Sequence, residues 1–202
     1  MVSRLRRFAV TVMVVVAPQA AILAQSLTDV RQKFDAGEYQ RAIDIAGSSA
    51  EPRVIYVVAQ SQQRLRRGDD ARRAYEQLAK RPDADPWHHV GLSGNALIGS
   101  DAGEALREAD RAVAANGSLP EAQYQRGLAL SASQNMADAA AAFDKAADLD
   151  PSWAYAHYYA GIAYSKMKRS DLTASHFQTF LKLAPQAPER GEVQSILRTL
   201  AR

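Results

Sequence analysis

The chain has 202 residues, 47% of them hydrophobic and 23% charged, with a formal net charge of +3 and no cysteine. That apolar content is too high for a disordered polyelectrolyte and sufficient for a real core. Without cysteine the chain has neither a disulfide framework nor the lipid-bearing thiol of a bacterial lipoprotein.

The first segment reads as a secretory signal. Arg4, Arg6 and Arg7 make a basic end, Phe8 to Ala17 is an apolar run too short to span a bilayer as a helix, and Pro18 interrupts it before small residues. Cleavage after Ala24 is expected, leaving Gln25 as the new terminus and an exported protein in the periplasm or outside the cell. These residues carry three Arg and no acid, so the mature chain balances 22 basic against 22 acidic residues. A balanced chain gives no reason to expect nucleic acid or stable membrane insertion.

Residues 25–51 form a shortened leading helix pair. Leu27, Val30, Arg31 and Phe34 share one helical face, Ala36-Gly37 turns the chain, and Tyr39, Ala42, Ile43 and Ala46 stripe the second helix. From Pro52 a 34-residue frame takes over, with units at 52–85, 86–119, 120–153 and 154–187. Pro52, Pro86 and Pro120 each open a unit, at the helix position where the missing N–H is harmless. The last two units carry the period most plainly: Tyr124/Tyr158, Gly127/Gly161, Phe143/Phe177, Leu149/Leu183 and Pro151/Pro185. Each unit splits into two helices, at 53–66 and 70–80, 87–98 and 102–115, 120–133 and 137–149, and 153–167 and 171–183. Short turns make the partners antiparallel. Residues 188–202 close the array with a helix striped by Val193, Ile196, Leu197 and Leu200, which shields the last pair from water.

The units resemble tetratricopeptide repeats. The first-helix small residue is Ala59, Ser93, Gly127 and Gly161 in turn; the second-helix Ala is Ala71, Ala105 and Ala139, with Thr173 last. The aromatic four residues on is Tyr75, Phe143 and Phe177, with Ala109 in the second unit, and the closing Pro is Pro151 and Pro185, with Asp83 and Gly117 at the earlier ends. The resemblance implies an all-α, right-handed superhelical solenoid of antiparallel helix pairs, with protein or peptide segments as partners. Glycine inside a helix costs about 1 kcal/mol against alanine, so Gly127 and Gly161 imply an aromatic over each, with Phe143 and Phe177 as the fillers. The Lys and Asn residues with which some cytosolic relatives clamp a C-terminal carboxylate have no counterpart here.

Little in the chain points to catalysis. Gly91-Leu92-Ser93-Gly94-Asn95 approximates a nucleophile elbow but lacks the final Gly and a preceding strand. The Gly-rich stretch 94–103 has no Lys-Ser/Thr pair for phosphate. The basic run at Arg64, Arg66 and Arg67 is interleaved downstream with Asp69 and Asp70, as on a solvated helix surface. His88 and His89, adjacent on a helix, are expected to point apart, and His157 and His176 lie on different helices, so no metal or cofactor site is expected.

The inner wall of the solenoid is the stronger candidate, because the first helix of each pair lines it. One face of those helices presents Arg53, Tyr56, Gln60 and Arg64; then Trp87, Val90, Gly94 and Leu97; then Glu121, Tyr124, Leu128 and Ser131; then Tyr155, Tyr158, Ile162 and Lys166. Tyr and Trp offer rigid contact area with a polar tip, which suits peptide recognition, with Tyr56 and Tyr155 foremost; the alternative is that these rings pack between repeats. The expected function is a non-catalytic scaffold or adaptor binding a segment of another cell-envelope protein. Assembly or export chaperoning is the alternative, and an enzyme or a small-ligand binder stands further off.

Overall fold

A computed structural model describes residues 19–201, with side chains from residue 27 onward. The basic end and apolar run of the expected signal lie outside the described residues. Those described form helices and connecting turns, with no strand among them. Two helices lead: α1 (Gln19–Asp35) and α2 (Tyr39–Ala46). Four pairs follow: α3 (Pro52–Arg64) with α4 (Gly68–Ala79), α5 (Pro86–Ile98) with α6 (Ala102–Ala115), α7 (Pro120–Ala132) with α8 (Met136–Leu149), and α9 (Ala154–Lys166) with α10 (Ser170–Leu183). Helix α11 (Arg190–Leu200) ends the chain.

The local causes of these boundaries repeat with the frame. Prolines stand at the first turn of α3, α5 and α7. The side chains of Glu51, Asp85, Asp101 and Asn135 accept from backbone N–H groups that open their helices, satisfying donors that have no intrahelical partner. Each pair turns through one left-handed residue, Arg66 (φ 59°), Ser100 (φ 61°), Gln134 (φ 62°) and Lys168 (φ 58°), spaced by the same 34 residues. No glycine fills these positions, so each turn holds a conformation costly for a residue with a Cβ.

Packing follows the pattern of a stacked array. Each helix lies against its partner, and α4 against α5, α6 against α7 and α8 against α9 join successive pairs. First helices of neighbouring units also touch, α5 with α7 and α1 with α3, forming an inner layer. The repeat glycines allow this closeness. A Cβ at Gly127 would lie 2.6 Å from Phe143, and one at Gly161 would lie 2.5 Å from Phe177, the two rings expected there. In the second unit the close approach runs to the preceding unit instead. A Cβ at Gly94 would meet the Tyr75 ring at 2.5 Å, and one at Gly91 the Tyr75 carbonyl at 2.5 Å. Val193 of α11 is fully buried, with Ile196 and Leu197 packed beside it, so the terminal helix covers the last pair as its stripe predicts.

Candidate functional site

The structure places most of the expected inner-wall residues in the interior rather than on an open groove. Tyr56, Gln60, Trp87, Val90, Glu121, Tyr124 and Tyr155 are buried; Arg53, Arg64 and Tyr158 are half-buried; Lys166 is exposed. This corrects the expectation of a solvent-lined wall, and the cause is curvature. The array curls until units that are distant in sequence meet across its axis. The Tyr56 hydroxyl donates to Gln125 Oε1 at 2.8 Å, and its ring lies 6.4 Å from that of Trp153, centroid to centroid. Trp153 stacks on Tyr124 at 4.4 Å, and Phe34 of α1 meets Tyr155 edge-on at 5.1 Å. Burial pushes the phenols of Tyr56 and Tyr124 up, so both stay neutral hydrogen-bonding groups inside this aromatic filling.

Charges thread the same interior in two clusters. Arg31 of α1 donates to Glu121 Oε1 at 3.1 Å and to Asp150 Oδ2 at 2.5 Å, and its guanidinium lies 5.1 Å from the centroid of Trp153. Arg53 approaches the same Glu121 oxygen at 3.5 Å. Burial raises the Glu121 carboxyl above its ordinary range, with Arg53 and Arg31 pulling against it. Asp150 moves the other way: burial pushes it up, but the Ser152 hydroxyl and Arg31 outweigh burial and hold it low. In the second cluster Arg64 pairs with Glu189, and the Tyr155 hydroxyl donates to Glu189 Oε2 at 2.8 Å. Arg64 also lies over Tyr155, 4.8 Å from the ring centroid.

What remains open on this side is a cleft of about 520 Å³ between α1 and two inter-repeat corners. Leu27, Trp153 and Leu183 give it apolar walls, and Arg31, Asp35 and Lys182 bring charge. Asp35, half-buried, has its carboxyl pushed up to about 7; burial is the main cause, opposed by Arg31 and reinforced by Asp150 and Glu189. None of Leu27, Asp35, Trp153, Lys182 or Leu183 was among the expected groove residues. The cleft forms between the leading pair and corners more than a hundred residues away, and only the final curvature brings them together.

The histidines also differ from expectation. His88 and His89 do not diverge: their ring centroids lie 5.0 Å apart, and Nε2 of each approaches Asp83 Oδ1, at 3.8 and 3.6 Å. His157 Nδ1 and His176 Nδ1 lie 3.2 Å apart, and His176 Nε2 reaches Asp144 Oδ1 at 3.1 Å. Helical spacing within one element cannot show either meeting, because each is completed by a neighbouring loop or helix.

No family model matches the chain, and no curated protein does. Solved structures do. A thermophilic TPR protein of Thermus thermophilus, TTC0263, superposes with a TM-score of 0.63 at 19% identity, covering 87% of this chain and 98% of that one. The TPR domain of Arabidopsis OM64 gives 0.55 at 20% identity, covering 58% of this chain and 98% of its own. The first TPR of Spaghetti (RPAP3), bound to the HSP90 peptide SRMEEVD, gives 0.55 at 18% identity, covering 58% of this chain and 97% of its own. The chain therefore has the all-α fold of tetratricopeptide-repeat solenoids.

Proposed function

We propose that the protein is a non-catalytic interaction scaffold that receives a segment of another cell-envelope protein. The cleft beside α1 carries this reading. Its volume of about 520 Å³ suits a few side chains of an entering segment, with apolar walls for burial and Arg31, Asp35 and Lys182 for orientation. The similar fold of Spaghetti (RPAP3), which holds a peptide, supports recognition of a segment rather than chemistry on it. The buried tyrosines of the inner wall then act as the rigid floor behind the cleft instead of direct contacts.

Export belongs to the same reading. Cleavage after Ala24 removes only the first residues of α1 and leaves Val30 and Phe34, its buried anchors, in place. Intact mass of the protein recovered from a bacterial host checks this: a chain beginning at Gln25 supports export, and one retaining Met1 to Ala24 overturns it. A photo-crosslinking side chain at exposed Lys182 tests the cleft. The expected result is a discrete adduct with an envelope protein, absent when the crosslinker sits at exposed Arg107 on α6. Equal labelling from both positions would remove the cleft from consideration.

A further inference from the structure

We propose that Asp83, His88 and His89 form a binding site for a divalent transition-metal ion, zinc(II) being the best fit, with Glu108 orienting His89. One ligand atom from each of the three lies within 4.8 Å of the others. Asp83 Oδ1 stands 3.6 Å from His89 Nε2 and 3.8 Å from His88 Nε2. Bonds of about 2.0–2.1 Å in a tetrahedral zinc site put ligand atoms about 3.3 Å apart, so small side-chain rotations bring these three onto one ion. The two imidazoles are borderline ligands that favour zinc and its first-row neighbours over magnesium or calcium, and zinc accepts a carboxylate oxygen beside them.

The support behind His89 argues for more than a chance meeting. Its Nδ1 lies 2.7 Å from Glu108 Oε2, and both side chains are buried. Arg111 donates to the other Glu108 oxygen at 2.8 Å. A histidine whose second nitrogen donates to a carboxylate is fixed in the tautomer that offers Nε2 as a lone pair, which is the arrangement found behind metal ligands. That lone pair then faces the Asp83 carboxylate, acceptor against acceptor, and a cation between them makes the pair attractive. His88 is the weaker ligand: its Nδ1 is buried without a partner, so nothing fixes its tautomer.

The cluster departs from the repeat frame at some positions and follows it at others. Asp83 occupies the position held by Pro151 and Pro185 in the later units, and His88 the position of Ala122 and Ala156. His89 and Glu108 correspond to Gln123 and Ala142 one unit on and to His157 and His176 two units on. A polar contact therefore recurs at this place in the last unit, and the second unit is set apart by its carboxylate at Glu108 and its second imidazole at His88. Asp83 closes the first unit and the other three residues lie in the second, so the group is assembled across a unit boundary, where its members meet in space.

The test is zinc titration of the chelator-stripped protein, read by competition with a chromophoric chelator, with cobalt(II) absorption reporting the ligand geometry. One zinc per chain is expected, with a rise in melting temperature. His89→Gln and the exposed Asp83→Asn should each weaken binding at least about 10-fold, and His88→Gln less. Glu108→Gln should weaken it about 10- to 100-fold while the cobalt spectrum keeps its shape, since Glu108 positions His89 without touching the ion. His157→Gln should change nothing. Absence of saturable zinc binding would mean that a proton alone bridges Asp83 and His89. Binding insensitive to Asp83→Asn and His89→Gln, or lost in His157→Gln, would equally overturn the site.

Discussion

At the scale of single residues, the same amino acid answers to opposite rules. Gly127 lies under Phe143, and a Cβ there would sit 2.6 Å from a ring that cannot swing away within a packed core. Gly127→Leu is therefore expected to destabilise the protein by about 1–3 kcal/mol through overpacking, read as a lower midpoint in chemical denaturation. Gly68 opens α4 with nothing within 4 Å of an added Cβ and no left-handed backbone, so Gly68→Ala should be neutral or raise that midpoint slightly. A titratable residue gives a pH-dependent counterpart. Asp35 has its native carboxyl pushed up to about 7 from an ordinary value of 3.8. The unfolded chain gives up this proton near its ordinary value while the native chain keeps it, so stability falls as pH rises through that interval. Asp35→Asn should raise the melting temperature most at pH 8, with the gain shrinking towards zero near pH 4. A gain that is constant across that range would rule out the burial of Asp35 as its source.

At the scale of elements, the helix pairs were legible because their signals are local. Proline at the first turn, apolar spacing and the 34-residue identities bracket α3 to α10 to within about two residues of the observed ends. The turns illustrate what local signals miss. Arg66, Ser100, Gln134 and Lys168 carry positive φ without any residue preference that announces it, since the neighbouring pairs impose the turn. Lys168→Gly should relieve that strain and stabilise by up to about 1 kcal/mol, measurable as a midpoint shift without change in the slope of unfolding. The same change at exposed Lys145, inside α8, should cost about 1 kcal/mol, separating turn relief from a general effect of glycine. The inner-wall residues were legible by position but not by environment. Tyr56, Tyr124 and Tyr155 fall on one face in sequence, yet whether that face meets water depends on a curvature summed over every interface between units.

At the scale of the molecule, that curvature is secured by contacts joining the two ends. Glu189, beside the terminal helix, takes both Arg64 of the first unit and the hydroxyl of Tyr155 in the last, while Pro188 fills the space over Gly37 in the leading pair, 2.6 Å from where a Cβ would stand. In an open solenoid each unit touches only its neighbours, so a break stays local; here one carboxylate couples units far apart in sequence. Glu189→Ala would leave Arg64 half-buried over Tyr155 without its counter-charge and remove the acceptor of the Tyr155 phenol, an expected loss of about 1–3 kcal/mol. The loss should also have an address. Amide exchange should rise in α1 and α2, which close onto the last unit through Phe34 and Tyr155, and stay unchanged in α6, which packs between α5 and α7. If exchange instead rises evenly along the chain, the end-to-end contact is a by-product of tight stacking. If it rises in α1 and α2 alone, the same contact governs access to the cleft that α1 walls, and the affinity of a partner becomes a function of how firmly Glu189 holds the array closed.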